Sequence, residues 1–252
     1  MIIMHDNPIV IFWSGGFDST LLLLDTLRQL NENNDDAVVQ CVTVISDRVV
    51  ERKNERECKA RNRIKDYIKT RFPDNIVQYR EIIVKTDDDA SFNEGLVYFG
   101  QPLLWSLTVI PFLEDNSRLL FGYILDDHLS TCKFYSPFNS LLYSANELCC
   151  KQLTFDFPLI TVSKKEIINA LLLNYPEIFD YMTCCENAGG IDNCGRCQPC
   201  DKLKNALLSL SLDVHNNLSD LAKLKLKDKF GLEVYVKNIH KSEESEGTIA
   251  VE

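Results

Sequence analysis

The chain has 252 residues, of which 45% are hydrophobic and 25% charged; this composition excludes collagen-like and wholly disordered proteins and fits one large α/β domain or two small ones. A formal net charge of −10 argues against non-specific binding to nucleic acid or to anionic membranes. No apolar run reaches the roughly 18 residues of a membrane-spanning helix, and the N-terminus lacks signal-peptide features, so we expect a cytoplasmic globular protein.

Strands and helices alternate along the first half of the chain. Ile9–Trp13 is a continuous apolar run, which is typical of a strand buried on both faces, and a glycine turn and a helix over Leu21–Leu30 follow it. Further strands are predicted at Val38–Ile45, Val77–Val84 and Arg118–Tyr123, and further helices at Asn54–Thr70 and Pro102–Leu113. The charged helix Asn54–Thr70 is interpreted as a solvated surface helix. The alternation predicts a doubly wound, mainly parallel α/β sheet, which is a Rossmann-like fold.

The pattern is weaker in the second half, where residues 124–157 are not assigned to any element. Ser163 and Glu166 form the signature of a capping box, which predicts a helix from there through about Leu173. A Leu-rich helix is expected near Asp201–Leu210. We predict an α/β domain over residues 1–157, a helical subdomain over 158–239 and a flexible tail over 240–252.

The clearest functional signal lies between the first strand and the first helix. It consists of Ser14, Gly15, Gly16, Phe17, Asp18, Ser19 and Thr20. Glycines let backbone N–H groups approach a polyanion, and a helix N-terminus adds unsatisfied donors and a partial positive charge. The hydroxyl groups could add donors, and Asp18 would either hold Mg²⁺ or cap the helix. The loop is neither a Walker loop nor a GxGxxG loop; an ordinary glycine-rich turn is the alternative.

Ten cysteines are present, and half of them fall within one short window. These are Cys184, Cys185, Cys194, Cys197 and Cys200. Three thiolates at the Cys-x-x-Cys-x-x-Cys spacing could surround a tetrahedral ion, and Cys184 or Cys185 would complete a closed, structural Zn²⁺ site. An iron–sulfur cluster, a redox pair or simple buried thiols are the alternatives.

The glycine loop resembles the SGGxDS signature of the N-type ATP pyrophosphatases (PP-loop enzymes). Combined with the cysteine cluster near the other end of the chain, it resembles the 7-cyano-7-deazaguanine synthases, the QueC family of queuosine biosynthesis. That family carries a Cys-Gly-x-Cys-x-x-Cys zinc motif, which is matched at Cys194, Cys197 and Cys200. The family's preceding Ser-Cys-Tyr resembles Thr183-Cys184-Cys185 and favours Cys184 as the fourth ligand. The resemblance is dense near residues 11–24 and 158–203.

The resemblance implies an ATP-dependent ligase that forms C–N bonds, with ATP, Mg²⁺ and Zn²⁺ as cofactors. It implies that the carboxylate of 7-carboxy-7-deazaguanine is adenylated, that ammonia then gives an amide, and that a second adenylation gives the nitrile. Asp18, Ser19 and Lys164 would be the catalytic residues. The alternative for Lys164 is an exposed lysine in the first turn of its helix.

The central region departs from the family, at Gly122–Asp127 and at Ser130–Lys133. Asp126 and Asp127 could hold Mg²⁺ or a purine-like ring, or form a plain polar turn. Lys133 stands near the position of a family arginine and could pair with the substrate carboxylate. These departures leave the substrate open.

Three functions are therefore considered. The first is the family reaction, with a 7-deazaguanine acid and ammonia as partners. The second is a divergent enzyme that passes the activated acid to a protein or nucleic-acid acceptor in antiviral defence, and the third is a non-catalytic nucleotide-binding module. A homodimer is left open, and neither a membrane nor nucleic acid as a general partner is expected.

Overall fold

The computed structural model describes residues 8–46, 51–84, 106, 108–184 and 197–209. The strands are β1 (Ile9–Phe12), β2 (Val39–Ser46), β3 (Val77–Val84), β4 (Arg118–Leu120) and β5 (Thr154–Asp156). The helices are α1 (Phe17–Asn33), α2 (Glu51–Arg71), α3 (His128–Cys149), α4 (Lys164–Asn174) and α5 (Gln198–Leu208). Short 3-10 turns occupy Ile110–Phe112, Leu125–Asp127 and Pro176–Asp180.

The strands form a five-stranded sheet in the order β3-β2-β1-β4-β5, and all neighbouring strands are parallel. Ile9 pairs with Val39 of β2 on one side and with Arg118 of β4 on the other. The chain therefore moves outward from β1 in one direction and later returns to the opposite side of it. In open α/β sheets this reversal leaves a crevice at the carboxyl ends of the two central strands, where ligands bind.

A hydrophobic core covers each face of the sheet. Ile11 and Cys41 face the core formed with α1, α2, α4 and α5. Val10 and Phe12 face the core on the other side, where Phe12 stacks on Phe121 with ring centroids 4.5 Å apart. Burying one such side chain contributes about 1.5–3 kcal/mol. The apolar strand pattern thus correctly predicted a parallel sheet with helices on both faces.

The helices α4 and α5 pack into the same core as α1. Their buried residues in this core are Ile167, Ile168, Leu171, Leu172, Leu203, Ala206 and Leu207. The segment assigned to the C-terminal helical part of the chain therefore lies directly against α1, the helix that follows the glycine loop. The tail over 240–252, most of residues 185–239 and most of Pro102–Leu107 lie outside the described residues.

Two expectations about elements are changed by the structure. The unassigned region 124–157 contains the long helix α3 and the edge strand β5. A strand of three residues is too short to show a periodicity of two, and Pro137 inside α3 is a residue that disfavours helix interiors. In addition, α1 begins at Phe17 rather than at Leu21, so Asp18, Ser19 and Thr20 belong to its first turn.

Among the helices of the described residues, none combines the length and the hydropathy that crossing a bilayer requires.

The predicted capping box at the start of α4 is confirmed. The Ser163 hydroxyl accepts a hydrogen bond from the backbone N–H of Glu166, and a Glu166 carboxylate oxygen accepts one from the backbone N–H of Ser163 at 2.7 Å. The Ser163 hydroxyl also donates to this carboxylate at 2.6 Å, and that hydrogen bond, together with the one from the Ser163 backbone N–H, holds the pKa of Glu166 below its ordinary value. The cap fixes where α4 starts, and therefore where Lys164 is placed.

Replacing the cap should destabilise the protein in a pH-dependent way. We expect Ser163→Ala to lower the free energy of unfolding by about 1 kcal/mol at neutral pH. A carboxyl group whose pKa is lowered by folding stabilises the fold above its ordinary pKa, and this contribution is lost as the pH falls. The difference between the two proteins should therefore shrink as the pH falls below 4.5, the ordinary value for Glu166, in urea titrations at a series of pH values.

Ser144→Ala is the matched control, because Ser144 lies exposed inside α3 and donates only to the carbonyl of Ser140. Its effect should stay within about 0.5 kcal/mol. Equal losses in the two variants would contradict a specific role for the cap.

Candidate functional site

The residues Trp13–Gly16 connect the carboxyl end of β1 to α1, beside the carboxyl end of β4. Gly16 is the N-cap of α1 and is extended, and no side chain caps this end of the helix. Asp18 therefore lies in the first turn without acting as the cap. The first N–H groups of an α-helix have no acceptor within the helix, and the helix dipole makes this end partly positive.

The loop is closely packed at both glycines, and at Gly15 a larger residue would not fit. Gly15 has a φ of +81°, in the left-handed region that favours glycine, and a Cβ atom there would lie 2.8 Å from Cγ of Arg61. A Cβ atom on Gly16 would lie 3.3 Å from the Ser14 hydroxyl oxygen and 3.5 Å from the carbonyl oxygen of Thr183. The loop is thus enclosed by α2 on one side and by the chain after α4 on the other.

The hydroxyl groups of the loop bind within the loop itself. The hydroxyl oxygens of Ser14 and Ser19 lie 3.1 Å apart, and the backbone N–H of Gly16 donates to the Ser14 hydroxyl. The indole N–H of Trp13 donates to the hydroxyl of Thr20 at 3.1 Å, and Thr20 is fully buried. Ser14 is the most exposed of the three hydroxyl residues, and Thr20 is part of the core.

Asp18 forms an ion pair with Lys164 at the start of α4. The Lys164 ammonium lies 2.7 and 2.9 Å from the two carboxylate oxygens of Asp18 and 5.4 Å from the centre of the Phe17 ring. The exposed fraction is 10% for the lysine side chain and 26% for the aspartate side chain. The alternative of an exposed first-turn lysine is therefore wrong, because this ammonium is buried against the first turn of α1.

The polar turn after β4 joins the same site. A carboxylate oxygen of Asp126 accepts the backbone N–H of Lys164 at 2.7 Å, and a carboxylate oxygen of Asp127 lies 2.9 Å from the ammonium of Lys202 on α5. Burial, reinforced by the charge of Asp127, raises the pKa of Tyr123, which stays protonated. These contacts bring Asp126 to the start of α4 and Asp127 to α5. A role toward Mg²⁺ or a purine-like ring stays a prediction.

Gly122 makes this arrangement compact. A Cβ atom on Gly122 would lie 2.9 Å from Cα of Ser19 and 3.0 Å from its backbone nitrogen. The turn after β4 consequently packs directly on the first turn of α1, and Ser19 is only 7% exposed. Asp18 and Ser19 are thus part of a packed helix turn rather than of a surface loop.

The residues that would hold Mg²⁺ can be assessed from the donors present. Asp18 offers a carboxylate at the loop, and Mg²⁺ usually binds one or two protein carboxylates together with substrate phosphates. In the described part of the chain, no three His, Cys, Asp or Glu side chains are grouped to hold a metal by themselves. The arrangement fits a Mg²⁺ ion that enters with a nucleotide, with Asp18 as the protein ligand.

The cysteine prediction is described only in part. Cys184 is half-buried against the core of α1, Cys197 is the N-cap of α5, and Cys200 is buried in the first turn of α5. Cys185 and Cys194 lie outside the described residues, as does the side chain of Lys133. The sulfur donors suit Zn²⁺, but the predicted set is incomplete without Cys194, so the zinc site stays a prediction.

Two cations near the loop were missed by the sequence analysis. Arg61 was assigned to a solvated helix, yet it is 1% exposed, and Lys202 was not considered. Lys202 follows Cys200 by two residues and reaches Asp127, which no local motif predicts. For Arg61 the signal was available, because it lies four residues after Glu57 and three before the buried Ile64, on the apolar face of the helix.

The arrangement is chemically suited to bind a polyphosphate. The N-terminus of α1 supplies donors, while two lysines compensate the carboxylates at the crevice. The ammonium of Lys164 lies within 3 Å of the Asp18 carboxylate in the first turn of α1. It is therefore also placed to stabilise charge on a phosphate bound there.

No family model matches the chain, and no curated protein is significantly similar to it. The resemblance to the QueC family stays a prediction from the two motifs.

The buried ion pair should couple Asp18 and Lys164 energetically. In a double-mutant cycle with Asp18→Asn and Lys164→Met, measured by urea unfolding, we expect a coupling energy of about 1–3 kcal/mol, because the lysine is largely removed from solvent. The exposed pair Arg118–Asp156, with side chains about half exposed, is the control and should couple by less than about 1 kcal/mol. A coupling at Asp18–Lys164 no larger than the control would contradict a strong ion pair.

Proposed function

We propose that this chain is an ATP-dependent, adenylate-forming enzyme of the QueC type, which activates the carboxylate of a 7-deazaguanine acid. The observation that carries this proposal is the glycine loop at the N-terminus of α1, in the crevice between β1 and β4, with the Lys164 ammonium held beside it. Open α/β sheets bind their ligands at this position.

The proposed role of the loop is to bind the β- and γ-phosphates of ATP. The N–H groups of the first turn of α1 and the backbone of Gly15 and Gly16 would donate to phosphate oxygens. Asp18 would hold Mg²⁺, which would neutralise part of the phosphate charge. Lys164 would share this carboxylate with the ion and stay beside the phosphates, because its ammonium is already paired with Asp18.

In the proposed reaction, a carboxylate oxygen of the substrate attacks the α-phosphorus of ATP. The bond between the α-phosphorus and the bridging oxygen breaks, so pyrophosphate leaves with both electrons of that bond. Lys164 stabilises the negative charge that develops on the leaving group. Ammonia then attacks the acyl carbon, AMP leaves, and loss of a proton gives the amide.

The nitrile requires the same site to act a second time. The amide oxygen attacks the α-phosphorus of another ATP, and pyrophosphate leaves. The nitrogen then loses both of its protons, and AMP leaves with the amide oxygen and the electrons of the carbon–oxygen bond, which gives the carbon–nitrogen triple bond. Asp126 and Asp127 are proposed to line the substrate side of the crevice, since they stand next to the loop on the turn after β4. Lys133 remains a candidate for the substrate carboxylate.

A zinc ion at Cys184, Cys194, Cys197 and Cys200 is proposed to be structural. A closed site with four thiolates leaves no position for substrate or water. It would join the chain after α4, which touches Gly16 through Thr183, to the start of α5.

The experiment that tests the proposal is a pyrophosphate-release assay with ATP, Mg²⁺ and 7-carboxy-7-deazaguanine, with and without ammonia. Formation of the nitrile supports the family reaction. Release of pyrophosphate with an adenylate but no nitrile supports the divergent enzyme with another acceptor, which the altered sequence around Asp126 motivates. The absence of pyrophosphate release would contradict both and leave a non-catalytic module.

Removing the buried ammonium of Lys164 should abolish substrate activation, whereas removing the ammonium of the neighbouring Lys165 should not. We expect Lys164→Met to lower the rate of pyrophosphate release by about 100-fold or more, the effect typical of losing one preorganised transition-state donor. Lys165→Met is the matched control, because Lys165 lies one residue further along α4 and makes no contact with Asp18 among the described contacts; it should keep wild-type activity.

Asp18→Asn and Ser19→Ala should also lose activity while they stay folded, and full activity in either would contradict the loop assignment.

Zinc binding should depend on the predicted cysteines only. Elemental analysis of the purified protein should give about one zinc per chain, and Cys194→Ser, Cys197→Ser and Cys200→Ser should lose the metal and destabilise the protein, because a structural zinc contributes to the free energy of folding. Cys184→Ser should be severe and Cys185→Ser mild. Cys41→Ser, which changes a buried thiol on β2, should keep the zinc. Iron with sulfide in place of zinc would overturn the assignment.

A further inference from the structure

The most unusual group outside the contacts already used is the guanidinium of Arg61 on α2. Arg61 is 1% exposed and ranks among the largest fully buried side chains. A charged group of this size is rarely buried unless it is fully paired. Its surroundings therefore need an explanation.

The pairing of Arg61 is incomplete. Its Nε lies 3.4 Å from a Glu81 carboxylate oxygen, and its Nη1 lies 3.9 Å from one of Glu57. Neither contact is a hydrogen bond, and both nitrogens are buried without an acceptor in the described part of the chain. The two carboxylates thus approach the guanidinium without satisfying its donors, an arrangement that stability alone does not favour.

The aliphatic part of the same side chain supports the glycine loop. A Cβ atom on Gly15 would lie only 2.8 Å from Cγ of Arg61 and 3.7 Å from the Arg61 backbone nitrogen. Gly15 is the residue of the loop in the left-handed conformation. A fully buried side chain with unmet donors therefore lies directly behind the backbone that is proposed to bind phosphates.

We propose that Arg61 is a positioning residue of the anion site, which holds Gly15 in its binding conformation and keeps a positive charge behind the loop. The inference rests on the proposed function of the loop as a pyrophosphate site. It predicts that Arg61 serves anion binding more than stability, because burying an incompletely paired charge costs free energy that an apolar residue of similar length would not.

The test compares pyrophosphate binding with stability in three variants. Binding of inorganic pyrophosphate with Mg²⁺ is measured by calorimetry, and the unfolding midpoint is measured in urea. For Arg61→Met we expect Kd to rise about tenfold or more, which corresponds to the loss of one charged interaction, with an unfolding midpoint that is unchanged or higher. Arg61→Lys keeps the charge and should lose less affinity than Arg61→Met.

Lys65→Met is the control, because Lys65 approaches the same Glu81 carboxylate at 3.9 Å and is one turn further along α2. It should leave Kd unchanged. An unchanged Kd in Arg61→Met, while the wild type binds pyrophosphate, would overturn the inference and leave the proposed function intact. Failure of both Arg61 variants to fold would assign a structural role and also overturn it, whereas a wild type that binds no pyrophosphate contradicts the proposed function, and the inference falls with it.

Discussion

The architecture of the site depends on close packing around the first turn of α1, which three glycines make possible. Gly15 admits Arg61 from α2, Gly16 admits the carbonyl of Thr183, and Gly122 lets the turn after β4 rest on Ser19. A Cβ atom would force a shift at Gly15 and Gly122, where the shortest distances fall below 3.0 Å, whereas at Gly16 the Thr183 carbonyl would remain at ordinary contact distance. Three segments far apart in the sequence thus meet at one helix N-terminus, and every polar group of the site is placed relative to that meeting point.

Charge compensation is the second constraint on this site. A helix N-terminus alone would favour an acidic side chain in its first turn, and Asp18 is there, but an unpaired carboxylate would repel a phosphate. The ammonium of Lys164 removes this conflict, since it binds both oxygens of Asp18. A second aspartate–lysine pair joins Asp127, on the turn after β4, to Lys202 on α5. In both pairs the lysine comes from a helix of the C-terminal half, so the crevice is electrostatically complete only when that half is packed on the sheet.

The sequence predicted the sheet well and the surroundings of the site poorly, for physical reasons. Continuous apolar strands such as Ile9–Phe12 and a capping box at Ser163 are local signals, and both were confirmed. By contrast, the burial of Arg61 results from α2 passing behind the loop, and the contact of Lys202 with Asp127 joins residues 75 positions apart. Helical periodicity could have placed Arg61 on the inner face. Nothing local distinguishes Lys202 from an ordinary exposed lysine, because its partner is chosen by the packing of α5.

The packing of α5 also indicates what a metal at the predicted cysteines would do without taking part in the reaction. Thr183 touches Gly16 immediately before Cys184, and Lys202 reaches Asp127 immediately after Cys200. Along the chain, the predicted cysteines therefore lie between a contact with the glycine loop and a contact with the turn after β4. A metal that joins these thiolates would hold both contacts at once. It would also offset the entropy cost of bringing residues 184 and 197 together. A structural ion at this place would act on the site through position alone: it would keep the two ends of the segment on either side of the first turn of α1, where the phosphates are proposed to bind.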